Sequence, residues 1–241
     1  MALTRDKLEA DWVRRMIAAQ DPDARLLPDT VLEASLATML QAWDGHSPVW
    51  VFGYGSLIWN PCVNVVAQTK ARLFGYHREL CLWTPLGRGT KDNPGLVFGL
   101  ERGGSCHGVA LAVPAEHVRD DLRLMWRREM LSGAYEPRWV NLRADTGTLR
   151  AIAFVMNCRH DRYAAQLDEP TKVRAVATAV GALGSCYDYV ASTLDHLAEL
   201  GLRDPHLQRI RRLAEVHRAT PPEAGTNDPR AQSATAKRSA S

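Results

Sequence analysis

The feature that most limits how this chain can fold is the order of its patterns: strand-like segments gather in the middle and helical segments stand at both ends. Val49–Gly55 and Ala71–Trp83 read as strands, separated by Trp59-Asn60-Pro61. The Gly- and Pro-rich stretch Thr84–Gly95 reads as a loop. Leu96–Glu101 and His107–Val113 then read as a hairpin across Arg102-Gly103-Gly104-Ser105. A helix opened by Pro114 runs to near Gly133, and two further strands, Pro137–Leu142 and Leu149–Asn157, flank the turn Asp145-Thr146-Gly147. A doubly wound sheet would alternate strand with helix. This order instead predicts an α+β domain with a mostly antiparallel or mixed, barrel-like sheet.

The flanks divide the chain further. Residues 1–47 are expected to be an N-terminal helical extension packing on the core, residues 48–218 the main domain, and residues 219–241 a disordered tail. In the extension one helix is predicted from about Thr4 to Ala19. A second runs to about Trp43, with Thr30 and Glu33 in capping-box spacing just after Pro28. Trp12, Met16, Leu36, Leu40 and Trp43 are the side chains expected to hold this pair down. The C-terminal third reads as helices over Thr171–Leu183, Tyr187–Leu200 and Asp204–Ala219, the last with Asp204 as N-cap and Pro205 at its first position. The tail, rich in Pro, Ala, Ser and Thr, has almost nothing to bury.

Composition excludes several function classes. No apolar run approaches the ~20 residues of a membrane helix, and Met1–Lys7 lacks the apolar stretch of a signal peptide, so a cytoplasmic protein without a membrane partner is expected. A net charge of +3 gives no argument for nucleic acid. The run Arg209-Ile210-Arg211-Arg212 reads as the wet face of an amphipathic helix. Five scattered cysteines and eight dispersed histidines show no metal-ligand spacing, and no disulfide framework is indicated. No metal and no cofactor are expected.

Two segments are left that suggest chemistry. In Val51-Phe52-Gly53-Tyr54-Gly55-Ser56-Leu57-Ile58-Trp59 an apolar strand enters a turn in which Gly53 and Gly55 permit close backbone approach, so that amides and Ser56 can hold an anion. Dinucleotide, P-loop and nucleophile-elbow patterns all fail here, and on spacing alone a purely structural tight turn with a buried strand fits better. The second segment is the helix Ala115–Leu131. Val118, Leu122 and Met125 share one face, and Glu129 continues it. A carboxylate at the end of an apolar stripe is desolvated and becomes a better base near neutrality; the alternative is an ion pair with Arg127 or Arg128 at the helix end. Arg78 and Arg88, the latter in Arg88-Gly89-Thr90, are candidates for binding a carboxylate.

Taken in order, these segments resemble the ChaC-like, glutathione-specific γ-glutamylcyclotransferases. The resemblance runs from about Trp50 to Val216. It includes Val51–Trp59 with Asn60-Pro61, Gly75-Tyr76-His77-Arg78, Arg88-Gly89-Thr90, Pro94-Gly95-Leu96 and Cys106-His107-Gly108-Val109-Ala110. It continues through Trp126-Arg127-Arg128-Glu129-Met130 with Gly133 and Tyr135, Ala153-Phe154-Val155, Gly184-Ser185-Cys186 with Tyr189, and Leu200-Gly201 with Asp204. Where a second basic residue often follows the arginine of Gly-Tyr-x-Arg, this chain has Glu79.

The resemblance implies a compact β-barrel with surrounding helices and a cofactor-free enzyme that cleaves glutathione to 5-oxoproline and Cys-Gly. Glu129 would be its acid/base and Tyr54-Gly55-Ser56-Leu57 its γ-glutamyl site. The expected substrate-binding set is Val51, Phe52, Gly53, Tyr54, Gly55, Ser56, Leu57, Arg78, Arg88 and Tyr135, with Tyr163 a further hydroxyl. Two rivals stay open: another γ-glutamyl amide as substrate, or a non-catalytic binding module on the same fold.

Overall fold

The computed structural model describes residues 3–220. Strands β1 (Val49–Gly53), β2 (Ala67–Thr84), β3 (Gly95–Val113), β4 (Tyr135–Ala144) and β5 (Gly147–Met156) close into a barrel in the order β1-β3-β2-β4-β5. Every neighbouring pair is antiparallel except β1 with β5, which run parallel through Trp50 opposite Ala151 and Val51 opposite Ile152. With its helices this is the α+β, mixed-barrel architecture expected from the order of patterns.

Both faces of β1, of the last six residues of β3 and of the second half of β5 are covered, which is why these stretches read as continuous apolar runs rather than as alternation. Residues Ala151 to Met156 are all buried. Ala151, Ala153 and Val155 join a core shared with helices α5 (Glu169–Thr178), α6 (Cys186–Glu199) and α7 (Pro205–Ala219). The interleaved Ile152 and Phe154 join a second core with α3 (Asp29–Leu40) and α4 (Val118–Glu129). Period-two geometry sorts neighbouring residues into the two cores.

Four expectations are corrected. The glycine pair of Arg102-Gly103-Gly104-Ser105 does not reverse the chain. β3 runs through it for 19 residues, paired with the 18-residue β2, and Gly75 lies opposite both glycines in a bulge between the pairs Phe74–Ser105 and Tyr76–Arg102. Gly75, Gly103 and Gly104 all have positive φ (83°, 102° and 63°), the chemistry that in a sequence signals a turn and here bends a long ribbon. The expected first helix is broken into α1 (Arg5–Glu9) and α2 (Trp12–Gln20) at Asp11, which is left-handed at φ 53°. No capping box forms, because Pro28 is the N-cap of α3 and Thr30 and Glu33 lie inside the helix. The helix predicted to reach Leu183 stops at Thr178, and a two-stranded ribbon, β6 (Val180–Gly181) with β7 (Gly184–Ser185), follows.

The extension ahead of β1 packs on the second core through Leu32, Leu36 and Leu40 of α3, with Trp43 after it. α2 uses Val13 and Ile17, one position along from the expected Trp12 and Met16. Asp204 caps α7 as predicted, accepting from the Leu207 amide at 3.0 Å. The expected tail, apart from its first two residues, lies outside the described residues.

Candidate active site

The site begins where β1 stops. After Gly53 the chain passes through Tyr54 and Gly55 into a 3₁₀ turn, Ser56–Ile58. Gly53 sits where space is tight: a Cβ there would lie 3.3 Å from the backbone of Leu57 and Ile58. Gly55 likewise supplies room rather than a positive φ. Its φ is −136°, and a Cβ would stand 3.1 Å from the Tyr189 hydroxyl and 3.4 Å from Phe98. The turn's own bonds run from the Ile58 amide to the Gly55 carbonyl and from the Trp59 amide to the Ser56 carbonyl. The amides of Ser56 and Leu57, at its start, therefore have no acceptor within the turn.

Helix α4 meets this turn at its C-terminal end. Val118, Leu122 and Met125 are fully buried, and Glu129 continues their stripe into a cleft of about 190 Å³ that is also lined by Tyr54, Gly55, Ser56 and Leu57. Arg128 reaches from the helix to the turn. Its Nε lies 2.9 Å from Glu129 Oε1, one Nη donates to Ser56 Oγ at 2.8 Å, and the other donates to the Asn60 carbonyl. Arg127 turns away to Asp29, 3.2 Å distant. Glu129 is thus both ion-paired and on the cleft, its side chain keeping 15% of its surface open.

Burial pushes the Glu129 carboxyl above its ordinary range, and the Arg128 guanidinium draws it part of the way back. The negative end of the helix dipole works in the same direction as burial.

The facing wall comes from the loop between β2 and β3 and from α6. Arg88 lines the cleft, donates to the Leu183 carbonyl and lies 5.4 Å from the centre of the Tyr189 ring. It has no carboxylate partner among the described residues. Burial lowers its pKa, though an arginine remains cationic. Arg88, Arg128 and Glu129 together leave the cleft with one net positive charge.

Three phenols complete the walls, Tyr54 and Tyr189 buried and Tyr135 half-buried, each held protonated because desolvation pushes its pKa up. Tyr54 and Tyr135 give their protons to the carbonyls of Phe154 and Phe98, both at 2.7 Å. Tyr189 instead accepts from the Phe98 amide at 3.3 Å, which leaves its own proton available.

Of the expected set, Tyr54, Gly55, Ser56, Leu57, Arg88, Glu129 and Tyr135 come together on this cleft. Val51 and Phe52 are wholly buried beneath it in the two cores. Arg78 is not on the cleft. It sits behind the turn, donating to the Tyr54 and His107 carbonyls and pairing with Asp204 at 2.6 Å. Glu79 faces Lys172 at 2.9 Å, and Tyr163 bridges to Leu82 outside the cleft.

Sequence reasoning gave no role to Tyr189 and named Arg128 only as an alternative ion-pair partner of Glu129, a pair the structure forms. The signal for Tyr189 is a hydroxyl within the buried stripe Cys186, Tyr189, Val190, Thr193, Leu194 of α6. Among the described residues no three His, Cys, Asp or Glu gather as metal ligands, and no helix is long and apolar enough to cross a membrane.

Comparison with known proteins places this geometry. The glutathione-specific gamma-glutamylcyclotransferase of Escherichia coli K12 is 40% identical over 178 residues, covering 73% of this chain and 77% of that one. The human glutathione-specific gamma-glutamylcyclotransferase 1 is 28% identical over 199 residues, covering 79% and 90%. A crystal structure of a yeast gamma-glutamylcyclotransferase specific to glutathione shares the fold, with a TM-score of 0.67 at 19% identity over 72% of this chain and 98% of that one. The family described as ChaC-like protein matches residues 49–217, so barrel, turn and Glu129 all fall within it, and the chain belongs to the ChaC-like family.

Proposed function

We propose that this protein is a γ-glutamylcyclotransferase that converts glutathione to 5-oxoproline and Cys-Gly. The observation that carries the reading is the Glu129 carboxylate, buried enough to be basic, open to the cleft, and tied through Arg128 to the turn at Ser56. The relatives' shared activity supports the choice of substrate. Charge supports it as well. Glutathione carries two carboxylates and one ammonium, and the cleft offers two guanidiniums and one carboxylate. Arg88, which has no carboxylate partner among the described residues, suits a second carboxylate, which a simple γ-glutamyl amine lacks.

In the reaction the γ-glutamyl amine attacks the side-chain carbonyl of its own residue, forming the ring C–N bond, and the bond to the cysteinyl nitrogen breaks. Nucleophile and electrophile share one molecule, so holding the folded conformer supplies most of the proximity effect. Two protons leave the attacking nitrogen, which begins as an ammonium. Two reach the departing nitrogen, which ends as the ammonium of Cys-Gly. Glu129 is the relay for both. The Ser56 and Leu57 amides with Arg128 receive the α-carboxylate, Tyr189 donates to the oxygen that becomes negative on attack, and Arg88 meets the glycyl carboxylate. This chemistry needs no cofactor, and with five free cysteines the protein is suited to the reducing cytoplasm.

The test is to incubate the purified full-length chain with glutathione and measure both products. Equimolar 5-oxoproline and Cys-Gly are expected. Release of 5-oxoproline only from a γ-glutamyl amine without a second carboxylate, or from neither compound, would overturn the reading.

A further inference from the structure

The chain ahead of β1 lies outside the segment that matches the family, which starts at residue 49. Two of its side chains nevertheless line the cleft: Leu3 and Val13 stand there with Tyr54, Leu57 and Arg128.

This placement is held at three points. On the side of the turn, the Leu3 carbonyl accepts from Asn60 Nδ2 at 2.8 Å and from the Cys62 thiol at 3.2 Å. Asn60 gives its own carbonyl to Arg128, the residue that holds Glu129. On α4, Arg5 pairs at 2.6 Å with Asp121, whose side chain has no exposed surface and which also accepts from the backbone and side-chain nitrogens of Asn64 at 2.9 and 3.0 Å. A buried carboxylate of this kind needs its partners. At the far end of the segment, Asp21 pairs at 2.9 Å with Lys91, in the loop that carries Arg88. Residues 3–21 are therefore tied to the wall that holds Glu129 and to the wall that holds Arg88.

We propose that this segment is a specificity wall of the active site, with Leu3 and Val13 receiving the cysteinyl side chain of glutathione. The inference rests on the cyclotransferase reading and adds a substrate contact from outside the family segment. The argument is one of chemical matching. Glutathione is charged at both ends, and its one apolar branch is the CH₂–SH in the middle. The charged groups of the cleft, Glu129, Arg128 and Arg88, account for the ends. Leu3 and Val13 are uncharged, half-buried side chains on the same cleft. They suit a soft apolar group and offer nothing to a carboxylate.

The experiment compares kcat/KM for glutathione with that for γ-glutamylglycylglycine, which keeps both charged ends and lacks the CH₂–SH branch. The full-length protein and the variants Leu3→Ala, Val13→Ala, Val13→Ile and the Leu3→Ala/Val13→Ala double are measured, with melting temperature as a check on folding. The wild type should prefer glutathione. The double variant should lose on the order of tenfold in kcat/KM for glutathione, mainly through KM, with little change for the glycine analogue. Val13→Ile should keep the preference. If the double variant does not fold, the single alanine variants report the same ratio. Equal losses on both substrates, or no loss on either, with an active wild type would overturn this inference alone. A wild type that cleaves neither compound would overturn the cyclotransferase reading and this inference with it.

Discussion

Arg128 joins Glu129 to Ser56, its Nε 2.9 Å from the carboxylate and its Nη2 2.8 Å from the hydroxyl. One side chain thus sets both the position of the base and its proton affinity. Burial raises the Glu129 pKa and Arg128 opposes that rise. Glu129 acts deprotonated, so kcat/KM should fall as pH drops through this raised pKa, giving an acid limb above the ordinary carboxylate range. Arg128→Gln removes the opposing charge, and the limb should move to higher pH, with the largest loss of activity at the acid end. A pH profile of kcat/KM for both proteins measures this; an unmoved limb would show that the guanidinium does not tune the base.

The turn is predicted to fail by crowding. Gly55→Val places methyls where a Cβ alone is already 3.1 Å from the Tyr189 hydroxyl, so glutathione affinity should fall by at least tenfold. Ser56→Ala removes only one of the acceptors of Arg128, which keeps Glu129 and the Asn60 carbonyl, and should lower affinity less. Calorimetric binding in a Glu129→Gln background measures both, and tight binding by Gly55→Val would show the turn to be only structural.

The two candidate arginines should separate cleanly. Arg78→Met leaves Asp204 and two carbonyls without their buried donor. That is expected to cost about 3 kcal/mol, a fall of roughly 6–12 °C in melting temperature for a chain of this size, with KM nearly unchanged for the folded protein. Arg88→Met should raise KM for glutathione severalfold and leave the melting temperature within a few degrees. The opposite pattern would exchange their roles.

These contrasts show where sequence reading ends. Strand β1 and the inner stretches of β3 and β5 were legible because both of their faces are apolar, and Glu129 because it continues the buried line Val118, Leu122, Met125. The bulge was not, because positive-φ glycines serve a hairpin and a bent ribbon alike; only the pairing of β2 with β3 distinguishes them. In the sequence Arg78 has the look of an anion-binding arginine. Its partners Tyr54, His107 and Asp204 lie 24, 29 and 126 positions away and meet it only in the fold. Tyr189, Leu3 and Val13 reach the cleft in the same way, from segments whose local patterns describe only helices and their flanks.

The central claim is that Glu129 moves the protons, and Glu129→Gln tests it most directly. The amide keeps the shape of the side chain and its hydrogen-bond acceptor for Arg128, but it cannot take a proton. Release of 5-oxoproline from glutathione should fall by ~10²–10⁴-fold, while fold and glutathione binding are retained. A variant with more than about a tenth of wild-type turnover, well above that range, would place the base on another residue and contradict the account.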